Sequence, residues 1–292
     1  MAAPAPDTAQ PQFLTTREVA DLLRVKERKV YDLAAAGEIP HRRVTGKLLF
    51  PRDEIEAWIA GAGRAPAERP ALLAGSHDPL LDWAIRESGC GLASFLDGST
   101  DGLERFGRGE AALAGLHLPE EDGWNLSTVA GRGLRDCVLV AWATRVRGLI
   151  LAPGLADVRG IADLRGHRVV SRQPGAGSRT LFDRLAAEAG LAPGDYTAVP
   201  SLARTETDAA AAVASSEAEA AIGLQAMARQ FRLGFVPLVE ERFDLLADRR
   251  AWFTPPVQTL LAFARTPAFA ERATALGGYE ISDLGTVRWL SP

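Results

Sequence analysis

The run Arg172-Gln173-Pro174-Gly175-Ala176-Gly177-Ser178-Arg179 carries the sharpest chemistry in this chain of 292 residues. Its glycines let backbone N–H groups approach a ligand closely, and Ser178 brings a hydroxyl donor to an expected helix start. The loop lacks the Gly-Lys-Ser/Thr ending of a nucleotide-binding P-loop, and it is not a dinucleotide fingerprint. Other small polar residues fall in equivalent places, each just beyond an expected strand: Ser76, His77 and Asp78; Ser99 and Thr100; Gly115 and His117; Gly223 to Gln225. Helix starts offer unpaired N–H groups and a positive dipole end, which makes them natural anion sites. Open α/β sheets also bind ligands beyond the carboxyl ends of their strands. The candidate ligand residues are therefore Ser76, His77, Ser99, Thr100, His117, Gly177, Ser178, Arg179 and Gly223. The plainer alternative is a glycine turn in which Ser178 only caps its helix. Arg179 is either a ligand contact or an ion pair between sub-domains.

A second constellation lies near the N-terminus. Lys26, Arg28, Lys29 and Tyr31 sit on or near the start of one expected helix, and His41, Arg42, Arg43 and Lys47 on an expected hairpin. Basic side chains on the second helix and the wing of a helix-turn-helix suit the DNA major groove and phosphates. The alternative is a solvated basic face. No metal-spaced cluster, nucleophile elbow or readable triad is present, so a binding protein rather than an enzyme is expected.

The elements that position these residues follow from periodicity and caps. Thr15 or Thr16 opens a helix with Glu18 in its first turn, and Val19, Leu22 and Leu23 recur at helical spacing. A second helix spans 26 to 36 and is ended by Gly37; Thr45-Gly46-Lys47 turns a hairpin; a third helix, 52 to 60, packs Ile55 and Trp58 inward. Residues 1 to 12 read as a disordered tail and 61 to 70, rich in Gly, Ala and Pro, as a linker. Beyond it strands and helices alternate. Strands are expected at 71–74, 91–96, 111–116, 136–144, 147–152, 168–171, 220–223, 235–239 and 242–246. Helices are expected at 79–88, 101–108, 178–189, 207–215 and 267–275. Such alternation implies a mostly parallel sheet. Arg145 and Arg147 fall near the crossover between two halves.

Bulk properties narrow the class. A hydrophobic content of 47% marks an ordinary globular protein, and the net charge of -4 combines a mildly basic head with an acidic body. That asymmetry favours a discrete DNA-reading module over general coating of nucleic acid. The two cysteines, Cys90 and Cys137, are too few for the usual metal site and read as small buried side chains. Residues 1 to 12 lack the features of a signal peptide, and no apolar run reaches membrane-spanning length. A cytoplasmic location is expected.

The stretches "REVADLL", "VYDLAAAGEIP" and "GKLLFPRDEIEAWI" resemble the excisionase-type winged helix-turn-helix, related to the MerR DNA-binding fold. Members often open the second helix with a small hydroxyl residue, where this chain has Lys26. The stretches "LAGSHDPLLDWA", "GSTDGLERFGRGEAALAGLHL", "EAEAAIGL" and "PAFAERATALGGYEISDLGTVRWL" resemble two-lobed type II periplasmic-binding-protein domains, the Venus flytrap fold, and are similar to molybdate- and tungstate-binding proteins. The resemblance implies an α/β protein with a winged helix-turn-helix at 13–60 and a ligand-sensing domain at 71–292. It further implies a one-component transcriptional regulator, acting as a homodimer on double-stranded DNA, with a small oxyanion effector (molybdate or tungstate favoured) and no cofactor. Sulfate, phosphate, a carboxylate, a molybdenum-cofactor-like organic molecule, or a ligand-free body remain alternatives.

Overall fold

The computed structural model describes residues 11–61 and 68–292. The chain divides into two compact units, Met1–Ala67 and Glu68–Pro292. Of the expected tail and linker, residues 1–10 and 62–67 lie outside the described residues.

The first unit runs β1 (Phe13–Leu14), α1 (Thr16–Leu23), α2 (Glu27–Ala35), β2 (Arg42–Val44), β3 (Lys47–Pro51) and α3 (Arg52–Gly61). Thr15 and Glu18 form a reciprocal cap: Thr15 N donates to the Glu18 carboxylate at 2.7 Å, and Glu18 N to Thr15 Oγ1 at 3.3 Å. Gly37, at φ +70°, takes the chain out of α2 as expected. Thr45 and Gly46 both have positive φ, which matches the twist of a two-residue hairpin. Val19, Val30, Phe50 and Ile55 are wholly buried and make the core. Strand β1 was not expected. It pairs antiparallel with β3, giving the order β1-β3-β2. The carbonyls of Pro11 and Gln12 accept hydrogen bonds from Arg52.

The second unit opens with β4 (Leu72–Gly75), α4 (Pro79–Ser88), β5 (Ala93–Phe95), α5 (Ser99–Gly107) and β6 (Leu113–Leu116). A small hairpin, β7 (Pro119–Glu120) and β8 (Gly123–Trp124), leads through α6 (Leu126–Ala130) into β9 (Cys137–Leu151). Then follow β10 (Arg168–Arg172), α7 (Gly177–Glu188), β11 (Thr197–Ala203), α8 (Glu206–Ala214), β12 (Ala220–Leu224), α9 (Gln225–Gln230) and β13 (Gly234–Asp248). Helices α10 (Pro255–Phe263) and α11 (Pro267–Leu276) and strands β14 (Tyr279–Glu280) and β15 (Val287–Leu290) complete it.

The strand order is β11-β10-β12-β9-β13-β6-β4-β5, with β14 and β15 added to β9. Strands β4, β5 and β6 are mutually parallel on one side, and β10, β11 and β12 on the other. Between them β9 and β13, fifteen residues each, pair antiparallel along their length. This corrects two expectations. The sheet is mixed rather than mostly parallel, and the expected pairs 136–144 with 147–152 and 235–239 with 242–246 are each one strand. The polar interruptions that suggested breaks face one another: Glu241 is the register partner of Arg145. Opposed in register, the charges neutralise and the strands continue. Helices α6, α9 and α10 and strands β11, β14 and β15 were also missed.

The largest hydrophobic cluster runs through both halves, joining Leu73, Leu80 and Leu113 to Val170, Ala209 and Ala221. Trp142, Phe243 and Phe269 belong to it as well; Leu149, Val169, Leu181 and Ile222 to another. Leu103, Phe106, Leu116 and Leu246 form a third. Cys90 and Cys137 are buried and unpaired.

Asp244 on β13 is a buried liability. Asn125 Nδ2 donates to its Oδ2 at 2.7 Å, while Oδ1 has no hydrogen-bond partner among the described residues. Burial pushes its pKa from the ordinary 3.8 to about 6. The folded state therefore binds the proton more tightly than the unfolded chain, and stability falls as pH rises from about 4 to about 6. Asp244→Asn is expected to raise stability at pH 7.5 by about 1–3 kcal/mol and to flatten that slope. Urea denaturation at several pH values measures both.

Candidate functional site

In the first unit, α2 starts at an uncapped Lys26, and Lys26, Arg28, Lys29 and Tyr31 are all exposed; Tyr31 retains half of its surface. Arg43 and Lys47 are exposed on the hairpin. His41 is half-buried, its Nδ1 bonded to the Ile39 carbonyl at 3.0 Å. Arg42 is tied to Glu54 on α3 at 2.6 Å and braces the wing against that helix. The unit thus presents cations on α2 and the wing, with Arg42 already engaged.

In the second unit, the carboxyl ends of β4, β6 and β10 and the starts of α4, α5, α7 and α8 converge where β9 and β13 cross between the halves. Ser76, Ser99 and Ser178 are buried there. Ser76 Oγ and Ser99 Oγ share a hydrogen bond of 2.8 Å, and Ser99 Oγ accepts from His117 N at 3.0 Å. The halves touch directly, with Thr100 N donating to Gly175 O at 3.3 Å. Gly98, at φ +112°, is needed for this approach, since a Cβ there would stand 2.9 Å from Gly175 O. Helices α4 and α8 are capped by Asp78 and Thr205. Helices α5 and α7 start at Gly98 and Ala176 with no side-chain cap. Two positive helix starts without a side-chain cap therefore meet where the halves touch, each bringing a buried serine, and the Thr100 N–H of α5 is taken by the Gly175 carbonyl.

Beside them lies a line of six buried charges of alternating sign: Asp78, Arg145, Glu241, Arg147, Glu206 and Arg172. Arg145 Nη1 donates to Asp78 at 2.9 Å, and its Nη2 to Glu241. Arg147 donates from Nε to Glu241 at 2.7 Å and from Nη1 and Nη2 to Glu206 at 3.1 and 3.0 Å. Arg172 Nη1 reaches Glu206 at 2.5 Å, and Tyr279 OH donates to Asp78 at 2.7 Å. Asp78 comes from one half and Arg172 and Glu206 from the other, so the line ties both halves to the crossing strands. Burial opposes ionisation of Glu206 and Glu241, but the guanidinium groups beside them outweigh it and hold both carboxyls well below the usual range.

His117 is buried, with Nδ1 on Glu241 at 3.1 Å and its ring stacked on Phe243. Burial lowers its pKa against the pull of Glu241, which favours the neutral ring. His77 is likewise lowered by burial, and its Nδ1 has no partner among the described residues.

The sequence candidates Ser76, Ser99, Thr100, His117, Gly177 and Ser178 come together here. A Cβ on Gly177 would collide with the His117 carbonyl, so glycine is required for closure. Gly223 lies beneath Glu206, where a Cβ would stand 3.8 Å from Oε2. Arg179 does not join them: it pairs with Asp183 on its own helix at 2.9 Å. Sequence reasoning missed Glu206, Glu241 and Tyr279. The available signal was Arg145-Val146-Arg147, two cations on one face of a strand, which require buried acids opposite.

These features define a two-lobed α/β binding-protein fold carried with a winged helix-turn-helix. A family model described as a PBP superfamily domain matches residues 83–265, and one described as a helix-turn-helix domain matches residues 13–63. The chain belongs to the PBP superfamily. It is similar to YvgK of Bacillus subtilis (strain 168), an uncharacterized protein, with 26% identity over 303 residues covering 94% of this chain and 96% of that one. Among solved structures, a putative phosphate ABC transporter substrate-binding protein with bound phosphate from Clostridium perfringens matches with a TM-score of 0.51 and 12% identity, covering 70% of this chain and 96% of that one. The regulatory domain of MetR, a LysR family regulator from N. meningitidis, matches at a TM-score of 0.48 and 12% identity, over 72% of this chain and 97% of that one. Among the described residues, no helix is long and apolar enough to cross a membrane, and no cluster of three or more His, Cys, Asp or Glu is placed to hold a metal ion.

Proposed function

We propose that this chain is a one-component transcriptional regulator of the cytoplasm. Its helix-turn-helix binds DNA as part of a homodimer, and its PBP-superfamily domain closes on a small oxyanion effector, molybdate or tungstate being the favoured pair. The observation that carries the ligand reading is the meeting of the uncapped starts of α5 and α7, with Ser99 and Ser178 buried beside them. Hydroxyls and helix N–H groups hold a tetrahedral dianion without a full countercharge. The buried charges support this, because they cancel among themselves and leave the helix starts to select the anion. A dimer is proposed because one small module buries too little surface for tight specific binding. An enzymatic reading has little support: the His117–Glu241 pair has the form of an oriented base, yet Ser99 Oγ meets the backbone N of His117 and not its ring.

The test is calorimetric titration of the full chain with molybdate, tungstate, sulfate and phosphate, repeated on Ser99→Ala/Ser178→Ala. The expected result is tight binding of molybdate or tungstate, weakened roughly 100-fold in the variant, with DNA binding retained. Absence of binding by all four anions removes the oxyanion reading and redirects the search to polar organic ligands.

A further inference from the structure

Glu206 is the first residue of α8 and is wholly buried. One of its oxygens accepts from Arg172 Nη1 at 2.5 Å and Arg147 Nη2 at 3.0 Å; the other accepts from Arg147 Nη1 at 3.1 Å. Ser178 Oγ lies 3.4 Å from the same Arg172 nitrogen. Two guanidinium groups, one of them bidentate, are the donors that hold a free carboxylate or tetrahedral oxyanion, and the Ser178 hydroxyl accepts from Arg172 beside them. The donors are also rigidly set: Arg172 Nε and Nη2 are bonded to the carbonyls of Ala203 and Arg204 at 3.0 and 2.9 Å. Thr205 and Asp208 cap the turn that delivers Glu206.

We propose that Arg147 and Arg172 form an anion seat whose occupant is the chain's own Glu206 carboxylate, and that this internal anion determines which effectors the cleft accepts. With Glu206 in place, and Arg147 shared with Glu241, the buried charge line as a whole carries no net positive charge. A ligand bearing a second acidic group meets that carboxylate and finds no free cation to receive it, whereas a single compact oxyanion is held by hydroxyls and N–H groups alone. Glu206 therefore selects single oxyanions against diacids. This selection rests on the oxyanion reading of the cleft; the seat itself does not.

The test begins with full-length Glu206→Ala, which empties the seat. In chloride its melting temperature is expected to fall by roughly 10 °C. Formate or acetate at about 0.1 M, against chloride of equal ionic strength, is expected to recover roughly half of that loss and to leave the wild type unmoved. Recovery of soluble Glu206→Ala in formate but not in chloride counts the same way. Glu206→Gln, which preserves shape, shows a smaller response of the same kind. Identical responses to formate and chloride in both variants overturn the seat. Titration with molybdate and with malonate then examines selection, with malonate affinity expected to rise roughly 10-fold in Glu206→Gln relative to wild type. A wild type that binds malonate as tightly as molybdate overturns the selection. Formate rescue together with a wild type that binds no oxyanion keeps the seat and removes the oxyanion reading.

Discussion

Arg147→Met is expected to destabilise the larger unit by about 3–5 kcal/mol, the cost of breaking a buried ion pair from one side. Arg147 is wholly buried and links Glu241 to Glu206. Without it, three buried carboxylates face two guanidinium groups, and one negative charge lies in the interior without water or a partner. The pH dependence identifies the mechanism. Both folded carboxyls lie below their ordinary value of 4.5, so the stability they contribute is present above that pH and is lost as pH falls towards the folded values. Arg147→Met removes most of this acid limb, because the remaining carboxylates protonate readily, and the variant approaches the wild type at low pH. Arg165→Met provides the contrast. Its pair with Asp195 is more than half exposed on the arginine side, and its loss is expected to cost under about 1 kcal/mol. Urea denaturation followed by tryptophan fluorescence measures all of these. A loss below about 1 kcal/mol in Arg147→Met at pH 7 is incompatible with a structural role for the charge line.

Arg28→Ala/Lys29→Ala is expected to weaken binding to duplex DNA roughly 30-fold at 0.15 M salt, since each neutralised phosphate is worth about 5-fold there. The slope of log affinity against log salt becomes shallower by about 2. Folding is unaffected, because both side chains are exposed. Arg42→Ala gives a smaller change in affinity, because its guanidinium is already engaged with Glu54. Fluorescence anisotropy on a labelled duplex between 50 and 200 mM salt separates the variants. Unchanged affinity and slope in the double variant indicate that α2 does not face the DNA.

The small unit was legible in the sequence nearly throughout, because its signals are local. The reciprocal cap of Thr15 and Glu18, the exit at Gly37 and the hairpin at Thr45-Gly46 each lie within a few residues. Strand β1 escaped because two residues show no periodicity; Phe13 and Leu14 become a strand only by pairing with β3. In the larger unit, the serines and glycines beyond the strands stood out by type. Arg179 stood out for the same reason, but Asp183 one turn along its helix takes its charge. Residue type shows what a side chain can do; its nearest partner settles what it does.

Composition and spacing by themselves determined the two families of element, the starts of the helices with clear caps or periods, and the pairing of a DNA-binding head with an α/β body. Caps, turns and hydrophobic periods act over three or four residues and need no distant partner. The tertiary structure alone decided that Arg145 and Arg147 lie within continuous strands and that Glu206 occupies the seat between two arginines. Glu206 and Glu241 stand 59 and 94 residues from Arg147. A buried charge is tolerated only when opposite charges arrive beside it. Whether Thr144-Arg145-Val146-Arg147 is a loop in water or a strand in the interior depends on chain that has not yet been synthesised when those residues emerge.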